Sequence, residues 1–129
     1  MNYLLDTHIL IWALLEPSKL SDNIIVTLED PDNMLWISPI SLWEIFILVE
    51  KKRIKLDVDP EAWIREITSQ VPIKEAALNH EVAIESRKID LPHQDPADRF
   101  IAATAVVYDL TLLTADKRLQ ECPQLQILA

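Results

Sequence analysis

Apolar positions along this chain fall into short continuous runs and longer stretches of helical spacing, and the two kinds alternate. NYLL, residues 2–5, is a short apolar run that ends at Asp6. A helical run follows over 8–16, and Pro17 stops it. Ser21 is placed to cap a second helix through Glu29, and DPDN makes the turn after it. MLWIS, 34–38, has the pattern of a buried strand. Ser41 then opens a helix over LWEIFILVEKKRI, 42–54, whose apolar face gives way to basic residues. Asp59 and Pro60 supply a cap and a first-turn proline for a helix over 60–70. VPI, 71–73, reads as a short strand, and 75–88 is helical in pattern, with a break allowed for. Asp95 and Pro96 begin a further helix, LTLLT, 110–114, is a strand, and LQIL, 125–128, is a candidate last one.

Strand runs that are continuous instead of alternating are those expected when helices cover both faces of a parallel sheet. The pattern therefore predicts a three-layer α/β/α architecture around a short parallel sheet of four or five strands. A length of 129 residues suits a single domain over 1–129.

Composition narrows the chemistry. Glycine is absent, which excludes a P-loop and a GxGxxG dinucleotide turn, since both need glycine where backbone approaches phosphate. Cys122 is the one cysteine, so neither an internal disulfide nor a CxxC pair can form, and a small apolar filler in a reducing compartment is the expectation. The start of the chain has no signal-peptide pattern, and its longest apolar run, ILIWALL, 9–15, is far below the ~20 residues of a membrane span. A cytoplasmic protein with no membrane association is expected. The net charge of −9 argues against simple nucleic-acid binding and for a basic partner or a cation. Basic residues cluster in KKRIK, 51–55, which would also suit a solvated helix end, and more weakly in Lys88, Arg99, Lys117 and Arg118.

Four carboxylates stand at telling places. Asp6 follows the first strand and Asp116 the fourth, while Glu44 lies in the first turn of the helix after the second strand. Ligands of open parallel sheets bind outside the carboxyl ends of the strands, where strand order reverses. Asp98 opens the helix that leads into the fourth strand, so its presence at that edge requires that helix to start there. Two carboxylates ~4 Å apart repel by about 4 kcal/mol at an effective dielectric of 20. A hard divalent cation such as Mg2+ turns that repulsion into binding, and a metal at such a site suits phosphodiester hydrolysis.

Each acid also has a plain structural explanation. Ser41 and Glu44 have the spacing of a capping box. Asp98 could merely complement a helix dipole behind its cap, Asp95. Asp6 could cap the following helix, and Asp116 could be a turn residue or cap. His8, His80 and His93 show no metal-ligand spacing and are expected to be ordinary. No GxSxG-type elbow supports a serine hydrolase. Trp12, Trp36, Trp43 and Trp63 sit in apolar runs and are expected in the core or an interface.

LLDTHILIW, ISLWEI, DPADRFIAATA and LTLLTADKRL together resemble the PIN-domain ribonucleases, and among them the VapC-type toxins of bacterial toxin–antitoxin pairs. The resemblance spans essentially the whole chain. It implies a compact α/β/α domain that cleaves RNA with Mg2+ or Mn2+, leaving a 5′-phosphate and a 3′-hydroxyl. Its acidic positions fall on Asp6, Glu44, Asp98 and Asp116, with Asp6, Asp98 and Asp116 as metal ligands. Thr7 and Thr114 match hydroxyl positions beside them, and Asp95 is a supporting residue. The resemblance also implies a homodimer and a small VapB-like antitoxin that enters the active-site groove. Two rivals remain at this point: a receiver-like phosphoacceptor module that binds Mg2+, and a catalytically inactive PIN-like adaptor.

Overall fold

Tyr3, Leu4 and Leu5 are all buried, although successive side chains of a strand point to opposite faces. The strand they form, β1 (Asn2–Leu5), must therefore be covered on both sides. In the computed structural model, which describes residues 1–129, it is the middle strand of five. The others are β2 (Met34–Ile37), β3 (Ile73–Glu75), β4 (Thr111–Leu113) and β5 (Ile127–Leu128). All pair in parallel, in the order β3-β2-β1-β4-β5.

Seven α-helices cover this sheet: α1 (Thr7–Leu15), α2 (Asp22–Glu29), α3 (Pro39–Glu50), α4 (Pro60–Gln70), α5 (His80–Ser86), α6 (Pro96–Val107) and α7 (Lys117–Gln120). A 3-10 turn, Pro17–Lys19, links α1 to α2. Two apolar clusters result. Leu4 and Leu112 pack with Val82 of α5 and with Ile101, Ala102, Ala103 and Ala105 of α6, and Cys122 lies in the same cluster. Tyr3, Leu5 and Leu113 pack on the other face with Ile9 and Leu10 of α1, Ile24 of α2, Ile45 of α3 and Ile64 of α4. Each leucine buried here contributes roughly 1.5–3 kcal/mol, so the run that looked like a strand also anchors both layers. The expected three-layer α/β/α fold is the one found, and no helix is long and apolar enough to cross a membrane.

The sheet order reverses between β1 and β4, which puts the switch point at the carboxyl ends of those two strands. The receiver fold has the order 2-1-3-4-5, so the phosphoacceptor rival fails on topology.

Several boundaries differ from those expected. Thr7, not His8, begins α1, because Asp6 is already its N-cap. α3 starts at Pro39 with Ser38 as its cap, so Ser41 is an interior residue and the capping box with Glu44 does not form. Proline at the first helical position outweighs the serine spacing. α3 ends at Glu50, and Lys52 takes a left-handed conformation, φ 58°, while Arg53 N donates to the Leu48 carbonyl at 2.8 Å. With no glycine available, Lys52 and Asp109 (φ 54°) fill the helix-ending role that glycine usually takes. Lys51, Lys52, Arg53 and Lys55 of KKRIK are exposed past that helix end. Strand β3 is shifted to 73–75, and only 80–86 of the helical 75–88 is helix, capped by Asn79. Trp43 is 51 % exposed, so it is no core residue. Arg99, one of the weaker basic set, is buried and so adds nothing to an exposed basic surface.

Candidate active site

Asp6 is built into the switch point by both strands that flank it. Its N–H continues the β-ladder to the Leu113 carbonyl at 3.0 Å. Its Oδ1 then accepts the Thr7 N–H at 2.8 Å, and its Oδ2 accepts the Thr114 hydroxyl at 2.7 Å. Thr114 follows β4 directly, so a hydroxyl 108 positions away fixes the carboxylate's rotation. Thr7 is itself buried and lies within hydrogen-bond reach of Ser41 Oγ (2.9 Å) and Glu44 Oε1. A hydroxyl has one proton. If Thr7 donates it to the Glu44 carboxylate, Ser41 donates to Thr7.

Asp98 reaches the same edge because α6 runs antiparallel to the strand it precedes. A helix that returns the chain to the start of a parallel strand begins where the other strands end. Asp95 caps α6, with Oδ1 accepting from Ala97 N at 3.0 Å and Asp98 N at 3.4 Å. Asp98 is almost fully buried, yet its Oδ2 meets His93 Nε2 at 2.9 Å and Arg118 Nη2 at 3.5 Å. Asp116 caps α7: its Oδ1 accepts from Arg118 N at 2.9 Å, and its Oδ2 pairs with Arg118 Nη2 at 3.1 Å. Asp116 N in turn donates to Thr114 Oγ1 at 3.0 Å, which joins it to the Asp6 network.

Asp6, Glu44, Asp95, Asp98 and Asp116 thus line one cleft of about 330 Å³, with His8, Trp12 and Arg118 on its walls. Burial is the largest cause that raises the Asp6 carboxyl above its usual range; the Thr114 and Thr7 hydrogen bonds oppose it, and Asp98 adds to it. Burial likewise pushes Glu44 up to about 7, against the Thr7 hydrogen bond and with Asp6 and Asp98 adding to the rise. Asp98 is raised by burial and by Asp95 and Asp116, and is held back by His93. Asp116 is the exception. Partial burial pushes it up, but the Arg118 side chain and N–H outweigh that and hold it below the usual carboxylate range.

A cation would favour the ionised forms of the three raised acids, the forms that can bind it. No three of the His, Cys, Asp and Glu side chains stand close enough together in this structure to hold a metal ion among them. The donor set is all carboxylate oxygen, which fits an ion such as Mg2+ that keeps several waters and takes one or two carboxylates directly.

Three participants escaped the sequence reading. His93 has no ligand spacing, yet it abuts Asp98 and keeps Nδ1 buried without a partner. Arg118 is the cleft's only guanidinium, hidden in sequence among other basic residues. Ser41 looked like a cap. The available signal for Arg118 was its position two residues after Asp116; for His93 no local signal exists, because only the folded loop brings it to Asp98.

The family model of the PIN domain matches residues 3–125. Ribonuclease VapC22 of Mycobacterium tuberculosis is 32% identical over 120 residues, 91% of this chain and 88% of that protein. Among solved structures, VapBC2 from Rickettsia felis, bound to a DNA fragment from its promoter, is similar with a TM-score of 0.74 and 20% identity, covering 99% of this chain and 98% of the other. A toxin–antitoxin complex from Klebsiella pneumoniae gives 0.64 and 23%, covering 98% and 96%. At those identities the two structures speak for the fold. The family match over nearly the whole chain and the 32% relative speak for descent, and they agree with the acidic cleft at the β1–β4 switch point: the chain belongs to the PIN-domain family.

Proposed function

We propose that this protein is a divalent-metal-dependent endoribonuclease and the toxin of a type II toxin–antitoxin pair, acting as a single domain over 1–129 in the cytoplasm. The observation that carries this is the gathering of five carboxylates in one cleft at the switch point of a PIN-domain sheet. The 32% identity to a ribonuclease supports RNA as substrate. Likeness to VapBC and toxin–antitoxin complexes supports a VapB-like antitoxin as partner, and a homodimer is the family expectation.

Asp6 and Asp98 would hold Mg2+ or Mn2+ most directly, with Asp116 and Glu44 completing the set directly or through water. When bound, such an ion polarises the phosphoryl oxygen and lowers the pKa of the attacking water. The chain's own contribution is orientation. Thr7 N and the Thr114 hydroxyl fix both oxygens of Asp6. Thr7 holds the Glu44 carboxylate in the cleft that Asp6 also lines, where it can orient the nucleophile. His93 fixes Asp98 from behind. Intact acids at all four positions favour an active enzyme over an inactive adaptor.

Purified protein should cut RNA internally with Mg2+ or Mn2+ and lose the activity in EDTA. Cleavage that survives full chelation would end the metal mechanism, and failure to cut any RNA, with the antitoxin removed, would favour the adaptor.

A further inference from the structure

We propose that Arg118 is the phosphate-binding residue of this cleft, released from its own carboxylates when the cation arrives. The inference rests on the ribonuclease reading and concerns how the substrate is held. An RNA phosphate is an anion, and the cleft it must enter is lined by five carboxylates. A single divalent ion cannot balance them. Among the lining residues only Arg118 carries a fixed positive charge.

Its placement suits that task. The backbone of Arg118 is pinned, because its N–H donates to Asp116 Oδ1 at 2.9 Å at the start of α7. Its side chain is 55% exposed at the rim, so the far end can move while the base stays fixed. Nη2 spans two acids, Asp116 Oδ2 at 3.1 Å and Asp98 Oδ2 at 3.5 Å. Those oxygens belong to two of the proposed metal ligands. A cation bound to them competes with the guanidinium for the same lone pairs. Displaced, the guanidinium remains beside the cation, where its planar fork can take two oxygens of a phosphate.

The alternative is that Arg118 only steadies Asp98 and Asp116. The two roles predict opposite effects on the metal. A steadying residue lost to Arg118→Ala weakens metal binding; a competitor lost leaves it equal or tighter. The first measurement is therefore Mn2+ binding by calorimetry, without RNA, for the parent, Arg118→Ala and Arg118→Lys. The second is fluorescence anisotropy of a fluorescein-labelled single-stranded RNA, in Ca2+ and in EDTA, with intact RNA verified on a gel from the same mixtures. Arg118→Ala should weaken RNA binding about tenfold in Ca2+ and change it less than about twofold in EDTA, where the guanidinium stays on its acids. The salt dependence in Ca2+ should lose a slope of about 0.7, one phosphate contact to a single strand. Arg118→Lys should recover part of the affinity, and under Mg2+ the alanine variant should raise KM more than it lowers kcat.

Weaker Mn2+ binding by the alanine variant would overturn the inference in favour of steadying. So would an RNA affinity unchanged in Ca2+, or one lost equally in EDTA. If the parent cleaves RNA and Arg118→Ala matches it in KM and affinity, this inference fails and the ribonuclease reading stands. If the parent neither binds nor cleaves RNA with any divalent ion, both fail together.

Discussion

Asp95 and Asp98 stand three apart in HQDPADRFIAATA and do different things with their oxygens. Asp95 is exposed, and Oδ1 is taken up by the N–H groups of Ala97 and Asp98. Asp98 is buried, and Oδ2 meets His93 and Arg118. Asp95→Ala should therefore cost about 1 kcal/mol as a lost cap and leave substantial activity. Asp98→Asn should remove most cleavage with little loss of fold. Urea melts and cleavage rates of the two variants check this, and a larger activity loss for Asp95→Ala at equal folding would reverse the assignment. The different placement was legible in the sequence because proline at a first helical position identifies the cap before it. Glu44 was harder. Its spacing from Ser41 imitates a capping box, and only the buried contact of Thr7 with both residues shows that they face the start of α1 instead of capping α3.

At the scale of elements, α6 owes its position to a side chain whose role the sequence concealed. Arg99 is buried with no carboxylate partner; Nε donates to Ser86 O at 2.9 Å, Nη2 to Ile89 O at 2.9 Å, and Nη1 to Leu91 O and His93 O at 3.3 Å. These carbonyls end α5 and line the loop after it, the negative end of that helix. Arg99 thereby clamps residues 86–93 against α6 and delivers His93 to Asp98. Each acceptor orphaned in Arg99→Met costs about 1–3 kcal/mol, so that variant should lose at least ~3 kcal/mol in urea unfolding. Arg99→Lys should also be strongly destabilised, since an ammonium cannot reach the same fork of carbonyls; a loss below about 1 kcal/mol for both would contradict the clamp. The alternation of elements was readable from apolar runs, because β1 and β4 must be buried on both faces. β3 was misplaced by two residues because it is an edge strand, Ile73–Glu75, and its exposed Lys74 and Glu75 leave no apolar pattern.

For the whole molecule, parallel topology brings acids from four separated segments to one end, and burial there sets a charge imbalance that folding must tolerate. The imbalance has a sign that can be measured. The Glu44 carboxyl rises from 4.5 to about 7 on folding, chiefly through burial. A carboxyl raised in the folded state binds more protons there than in the unfolded chain, so its stabilising effect is complete below about pH 4.5 and is lost as pH rises through about 7. Asp6 and Asp98 are raised too and act in the same direction. In EDTA the melting temperature should fall over that window, and Glu44→Gln should flatten the fall and melt above the parent near pH 8. Asp116→Asn should do the reverse and melt lower, since Asp116 caps α7, pairs with Arg118 and is held below its usual range. Mg2+ binding only the native state should restore the parent's stability most at the alkaline end, by about 2.7 kcal/mol at a hundred times its dissociation constant. The measurement is melting against pH, with EDTA and with Mg2+, for the parent and both variants. If Glu44→Gln melts below the parent near pH 8 in EDTA, holding an ionised Glu44 buried beside Asp6 and Asp98 does not cost stability, and the argument that a cation relieves that cost loses its physical basis.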